Sequence, residues 1–205
     1  MKQILLILAV VVVGCGKKDS PEPQTKAKGT PKAADKKPLT EEESAKVIEA
    51  AIRSFPNKPT ELTDIQQEHD PKGELTKADY EKVIVLQLEN NQLTSVKGLE
   101  KLTQLWGVGL KNNQLTDVKG LEKLTKLEEL GLENNQLTDV KGLEKLTQLD
   151  GLFLDGNQLT DVKGLEKLTK LTRLFLKDNP DLTKAQIDEL KKALPKCTII
   201  SNPTK

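Results

Sequence analysis

Few side chains in this sequence can make or break bonds, and they are spaced against it. There is one histidine, His69, and the two cysteines, Cys15 and Cys197, lie 182 positions apart. A zinc site of the usual Cys/His type lacks ligands here. A Ser-His-Asp or Cys-His relay would have to run through His69, which stands in a polar stretch that reads as a surface loop. Glu128 and Glu129 are adjacent, so on a strand they point opposite ways or splay, and do not converge on one bond. The Asp-Xaa-Asp-Xaa-Asp-Gly loop that cages calcium is absent, as is a phosphate loop. Aromatic residues are 2% of the chain, too few for a platform that stacks bases. The sequence is therefore read as non-enzymatic, with no metal and no cofactor.

Charge divides the 205 residues unevenly. Residues 16–38 carry seven lysines against three acids, whereas residues 39–205 carry 24 basic against 28 acidic side chains. A slightly acidic body argues against nucleic acid, because duplex affinity comes largely from lysine and arginine neutralising phosphates. Segment 16–38 contains no leucine, isoleucine, valine or aromatic residue. Such a segment cannot bury enough surface to offset its chain entropy, so a disordered tether is expected. Its lysines either serve a solvated spacer or touch anionic lipid head groups.

Before it, Met1-Lys2 is followed by ten apolar residues, Ile4 to Val13. Ten is too few for a spanning helix and suits the hydrophobic region of a signal peptide. The run ends in Val12-Val13-Gly14-Cys15, which resembles the bacterial lipobox. That resemblance implies a signal peptide over 1–14 and a lipid-bearing Cys15 heading a tether over 15–38. The other reading of Cys15 is an incidental thiol at the end of a buried strand. Gly16, not aspartate, follows the cysteine. The expected place is the cell envelope, on the outer-membrane, periplasmic or surface side of a bacterial membrane.

The rest of the chain is periodic. Asn90 to Thr103 recurs almost unchanged at 112–125, 134–147 and 156–169, a step of 22. One unit reads Leu127, Leu130, Leu132, Asn135, Leu137, and its counterparts run from Val83 to Asn179. Leu130 and Leu132 lie two apart, which puts both on the inner face of a short strand. This L-x-x-L-x-L-x-x-N-x-L pattern resembles the leucine-rich repeat. Its period and its Leu-Thr-Asp-Val-Lys-Gly-Leu continuation are similar to the internalin-like class of bacterial repeats. The resemblance covers 83–182, about five repeats. It implies an α/β solenoid: a horseshoe segment with short parallel strands on the concave face, 3₁₀ turns on the convex face, and helical caps at both ends.

Within that frame the columns have physical roles. Asn91, Asn113, Asn135, Asn157 and Asn179 fall where each coil turns a corner, and a stacked amide can both donate to and accept from the bared backbone. Ser95, Asp117, Asp139 and Asp161 are expected to N-cap the 3₁₀ turns, and Gly98, Gly120, Gly142 and Gly164 to end them with positive φ. Val140, Leu143 and Leu146 are expected to bury the convex edge.

The caps occupy 39–82 and 183–205. Thr40-Glu-Glu-Glu43 reads as a capping box before a helix that buries Val47, Ile48, Ala51, Ile52 and Phe55. Thr76-Lys-Ala-Asp79 opens a short second helix. Thr183-Lys-Ala-Gln186 opens a third through about Leu194, and residues 197–200 read as a last strand. Cys197 is read as a buried cap residue, with a disulfide-linked dimer as the alternative. The chain is otherwise expected to be a monomer.

Between the leucines the repeats stop agreeing. The resemblance places these variable positions on the concave face, and they hold the only tryptophan and two of the three phenylalanines. The candidate site is a docking face centred on Trp106, Phe153, Arg173 and Phe175. It is ringed by Glu128, Glu129, Glu133, Asp150 and Asp155, beside a hollow left by Gly107, Gly109, Gly131 and Gly151. Exposed aromatics among charges are common material of binding hot spots. The function so read is a membrane-anchored lipoprotein whose concave face binds a protein or peptide partner. The alternative is a structural envelope spacer without a specific ligand.

Overall fold

A computed structural model describes residues 37–53 and 74–202. The signal segment, Cys15, most of the tether, Phe55 and His69 lie outside the described residues. Helix α1 (Glu41–Arg53) comes first, then α2 (Lys77–Lys82). Five three-residue strands follow: β1 (Val85–Gln87), β2 (Gly107–Gly109), β3 (Glu129–Gly131), β4 (Gly151–Phe153) and β5 (Arg173–Phe175). Each of the first four is followed by a single 3₁₀ turn on a Leu-Glu-Lys triplet. Helix α3 (Lys184–Ala193) and strand β6 (Thr198–Ile200) close the series.

All six strands form one parallel sheet in chain order, β1 to β6. Parallel neighbours need a crossover, and here each crossover is one coil of the solenoid. The step is 22 residues up to β5, and the leucine columns therefore stack coil on coil. From β5 to β6 the partner of Arg173 is Thr198, a step of 25, because α3 replaces the 3₁₀ turn. The core is almost wholly leucine. Leu105, Leu110, Leu127, Leu130, Leu132, Leu149, Leu152 and Leu154 have no exposed surface, and Val140, Leu143 and Leu146 bury the convex side.

The asparagine column does what its amide chemistry predicts. Asn135 Nδ2 donates to Leu110 O and Leu132 O, each at 3.0 Å, and its Oδ1 accepts from Leu115 N–H at 3.0 Å. Asn113, Asn157 and Asn179 repeat the pattern. One amide thus satisfies backbone groups of its own coil and of the coil before it.

The start of the 3₁₀ turns differs from expectation. The aspartates are not the N-caps. Asp117, Asp139 and Asp161 accept from the backbone N–H two residues on, at 3.0 Å, forming a turn upstream of the helix. The N-cap is the glycine, with φ of 93–108°, so these glycines begin the turn and do not end it. Their N–H groups donate to the glutamate two residues on, as Gly142 does to Glu144 at 2.7 Å. A positive φ redirects the chain where a side chain would be strained.

Both ends are tied down. Thr40 and Glu43 form a capping box, and α1 buries Ser44, Ile48, Ala51 and Ile52 with Val47 half-buried. Thr94 links α1 to the first coil. Its N–H donates to the Ser44 hydroxyl oxygen at 3.1 Å, and its own hydroxyl donates to Leu39 O at 2.6 Å. α2 and α3 also open on capping boxes, at Thr76/Asp79 and Thr183/Gln186. Ile187, Leu190 and Leu194 cover the last coil.

Candidate functional site

The sheet's outer face is built from rows that run across the strands. Leu86 and its counterparts point inward, so the residues on either side point out. One row is Val85, Gly107, Glu129, Gly151, Arg173 and Thr198. The next is Gln87, Gly109, Gly131, Phe153, Phe175 and Ile200. Flanking the first is an edge row of Ile84, Trp106, Glu128, Asp150 and Thr172, linked by backbone hydrogen bonds of 2.7–2.9 Å.

Three groups result. Phe153 and Phe175 stack with ring centroids 5.1 Å apart and planes 19° from parallel. The Arg173 guanidinium lies 6.0 Å from the Phe153 centroid, pairs with Asp150 at 2.9 Å, and pairs with Glu129. Thr172 Oγ1 donates to Asp150 Oδ1 at 2.7 Å. The hydrogen bond from Arg173, then that from Thr172, hold the Asp150 carboxyl below its ordinary range. Asp150 in turn, with Glu129, raises Arg173 above its own.

The second group is Trp106 with exposed Glu128 and Ile84 beside it. The third is Glu133, which pairs with Lys111 at 3.6 Å, and Asp155, which accepts from Lys177 N–H at 2.7 Å. Burial chiefly pushes the Asp155 carboxyl up, and nearby Glu133 and Asp178 add to it. Among the described residues no three His, Cys, Asp or Glu side chains are grouped to hold a metal ion.

The expected hollow is filled. A Cβ built on Gly151 would run into the Glu129 carboxylate, and one on Gly109 into the Gln87 amide. Glu133 Oε2 lies 3.0 Å from a Cβ built on Gly131. The missing side chains let long neighbours lie flat across the strands. At Gly151 this has a consequence: Glu129 on β3 reaches Arg173 on β5 across the intervening strand. The glycines level the floor and connect its charges.

Residues 108–145 match the family model described as leucine rich repeats, two copies. The chain is similar in structure to the internalin InlF of Listeria monocytogenes, with a TM-score of 0.63 and 25% identity over 78% of this chain and 44% of that one. The fold is a leucine-rich-repeat solenoid. Internalin C2 of the same organism gives 0.53 and 29% identity over 63% of this chain and 56% of that one. A leucine-rich-repeat protein of Leptospira interrogans gives 0.55 and 33% identity over 62% of this chain and 33% of that one. The repeats are thus internalin-like, on a chain that spans a third to just over half of these proteins. No match was found among curated protein sequences.

The solenoid brings Glu129, Asp150, Phe153, Arg173 and Phe175 into one cluster. It sets Trp106 and Glu128 to one side, and Glu133 and Asp155 to the other. Sequence reasoning missed Ile200, which extends the Phe153–Phe175 row. A constant step of 22 from Phe175 arrives at Cys197, and the capping box at Thr183 was the signal that the last step is longer.

Cys197 lies just before β6 and is half-buried against the core. Burial first, then the Asp150 charge, pushes its thiol up to about 11. Thiolate at pH 8 is thereby cut roughly hundredfold, and the greater intrinsic nucleophilicity of a high-pKa thiol restores nearly tenfold. In a Cys15→Ser chain, Cys197 should react with iodoacetamide about tenfold slower than free cysteine, its rate still climbing near pH 11. A rate that levels off near pH 9 would contradict this.

Proposed function

We propose that the outer face of the sheet is a docking surface for a protein or peptide partner. In this reading, lipid on Cys15 presents it from a bacterial membrane. Leucine-rich-repeat folds commonly serve protein–protein binding, and the internalin-like repeats favour that use here. The observation that carries the reading is the Phe153–Phe175 stack. Two adjacent coils put large rings on the solvent side of the sheet, where β2 and β3 carry glycine in the same row. Stacked rings with a satisfied charge cluster beside them make a rigid apolar anchor, the usual centre of an interface. A spacer would need no such feature.

The test is capture from envelope extracts by the wild-type chain and by a Phe153→Ser/Phe175→Ser chain. Circular dichroism and thermal melting establish that the variant is folded. We expect the variant to lose the captured partner, and a Trp106→Ala chain to recover less of it. Equal recovery by folded wild type and double variant would leave the spacer reading standing.

A further inference from the structure

We infer that the partner segment is an extended peptide carrying a cationic side chain about four residues from a large apolar one. The cation would stand on Trp106 and Glu128, and the apolar group on Phe153, Phe175 and Ile200. This inference rests on the docking reading above.

The face has two apolar poles of different character. At one, Ile84 and Trp106 are 55% and 36% exposed, the large hydrophobic side chains that stand exposed among the described residues. They are neighbours in one row, with Trp106 N–H donating to Ile84 O at 2.7 Å. The next residue in that row is Glu128, exposed and without a cationic partner among the described residues. An indole face with an unpaired carboxylate alongside attracts a guanidinium or ammonium by ring quadrupole and by charge. At the other pole, the phenylalanine stack and Ile200 form a continuous apolar row, with exposed Lys177 and half-buried Asp155 in the column beside it.

The region between the poles selects for charge. Arg173 is the cation nearest the centre, and it is engaged by Glu129, Asp150 and the Phe153 ring. Lys111 is engaged by Glu133. Glu128, Glu129, Glu133, Asp150 and Asp155 outnumber Lys111, Arg173 and Lys177 on this face, so its field is negative, a cationic segment is favoured and an acidic one repelled.

Geometry fixes the spacing. Trp106 and Phe153 lie two strands apart and three residue positions apart along the strand direction, roughly 14 Å along the diagonal. An extended peptide advances about 3.4 Å per residue, so about four residues span the poles. The chain's own residues 16–38 supply lysines but no leucine, isoleucine, valine or aromatic residue. They could meet the negative field and leave the phenylalanine pole empty, so the occupant is a segment of another protein.

Trp106 is the only tryptophan of the chain, so its emission reports on one pole directly. A random-peptide display library is panned against the full chain carrying Cys15→Ser. Enriched sequences should place Arg or Lys about four residues from Phe, Leu or Ile, and should shift Trp106 emission on binding. Glu128→Lys should weaken them about tenfold, and Phe175→Ser by at least as much. Peptides that need Phe175 but are acidic, or indifferent to Glu128→Lys, overturn this inference and leave the docking face intact. No enrichment over the Phe153→Ser/Phe175→Ser chain overturns both. Tighter peptide binding after deletion of residues 17–36 would show that the chain's own lysines occupy the site, which also overturns it.

Discussion

Asn135→Leu should cost the solenoid about 3–5 kcal/mol, a large effect for a polar residue and one shared by its column. Asn135 is 6% exposed and holds three buried backbone groups at once: the carbonyls of Leu110 and Leu132 and the N–H of Leu115. Leucine keeps the branched heavy-atom skeleton but its methyl groups are bulkier, so some overpacking adds to a loss that is mainly polar. Each buried group left bare costs about 1–3 kcal/mol, and relaxation keeps the sum below the simple total. Urea unfolding should show a lower midpoint with an unchanged slope. Asn135→Asp separates donor from acceptor. Its carboxylate still accepts from Leu115 but faces two carbonyls with no hydrogen to give. Burial and those carbonyls raise the folded pKa above the unfolded value, so the variant is least stable at high pH. It should regain stability as pH falls through the raised folded pKa, because the protonated acid can donate again. An Asn135→Asp chain equally stable at about pH 5 and about pH 8 would contradict this account of the column.

The asparagine column could be read from sequence because period and chemistry agree there: one residue type, one offset, one need. The same agreement made the strands, the leucine core and the α3 capping box legible. The Asp-Val-Lys-Gly column was misread for a physical reason. A glycine with positive φ can open a helix or close one, and the sequence pattern is alike in both cases. What decides it is Glu144 and its counterparts accepting the glycine N–H, a local bond that spacing alone does not reveal. A second ladder also went unread. Asn90, Asn112 and Asn134 adopt φ of 53–60° and bond side chain to side chain down the stack, until Gly156 ends the run.

The candidate site was only half legible, since its positions are those where the repeats disagree and no period identifies a role. Exposure of Trp106 and the stack of two phenylalanines follow from row arithmetic alone. That Glu129 lies across Gly151 to meet Arg173 depends on side-chain length, which row arithmetic ignores. Ile200 joined the row because a helix lengthened the last coil.

Leu132→Ala should cost about 3–4 kcal/mol, and its reach should differ from that of Leu88→Ala. Both leucines occupy the same column and are 0% and 1% exposed. Leu132 lies between Leu110 and Leu154, themselves fully buried, so no neighbour can slide into the space and the cavity stays. Leu88 has a repeat neighbour on one side only, so its coil can settle towards the end of the array and the cost is smaller. In a one-dimensional stack each coil is held by its two neighbours. A defect at Leu132 therefore weakens the junctions on both sides, including the β3–β4 pairing that carries Glu129 to Arg173. A defect at Leu88 loosens β1 alone. Hydrogen exchange resolves the two. Leu132→Ala should lower protection from β2 through β5, whereas Leu88→Ala should lower it at β1 and leave the Phe153–Phe175 face as protected as before. Equal loss across the sheet in both variants would mean that the array unfolds as one unit. Binding at the phenylalanine pole would then depend on the N-terminal coil as much as on its own.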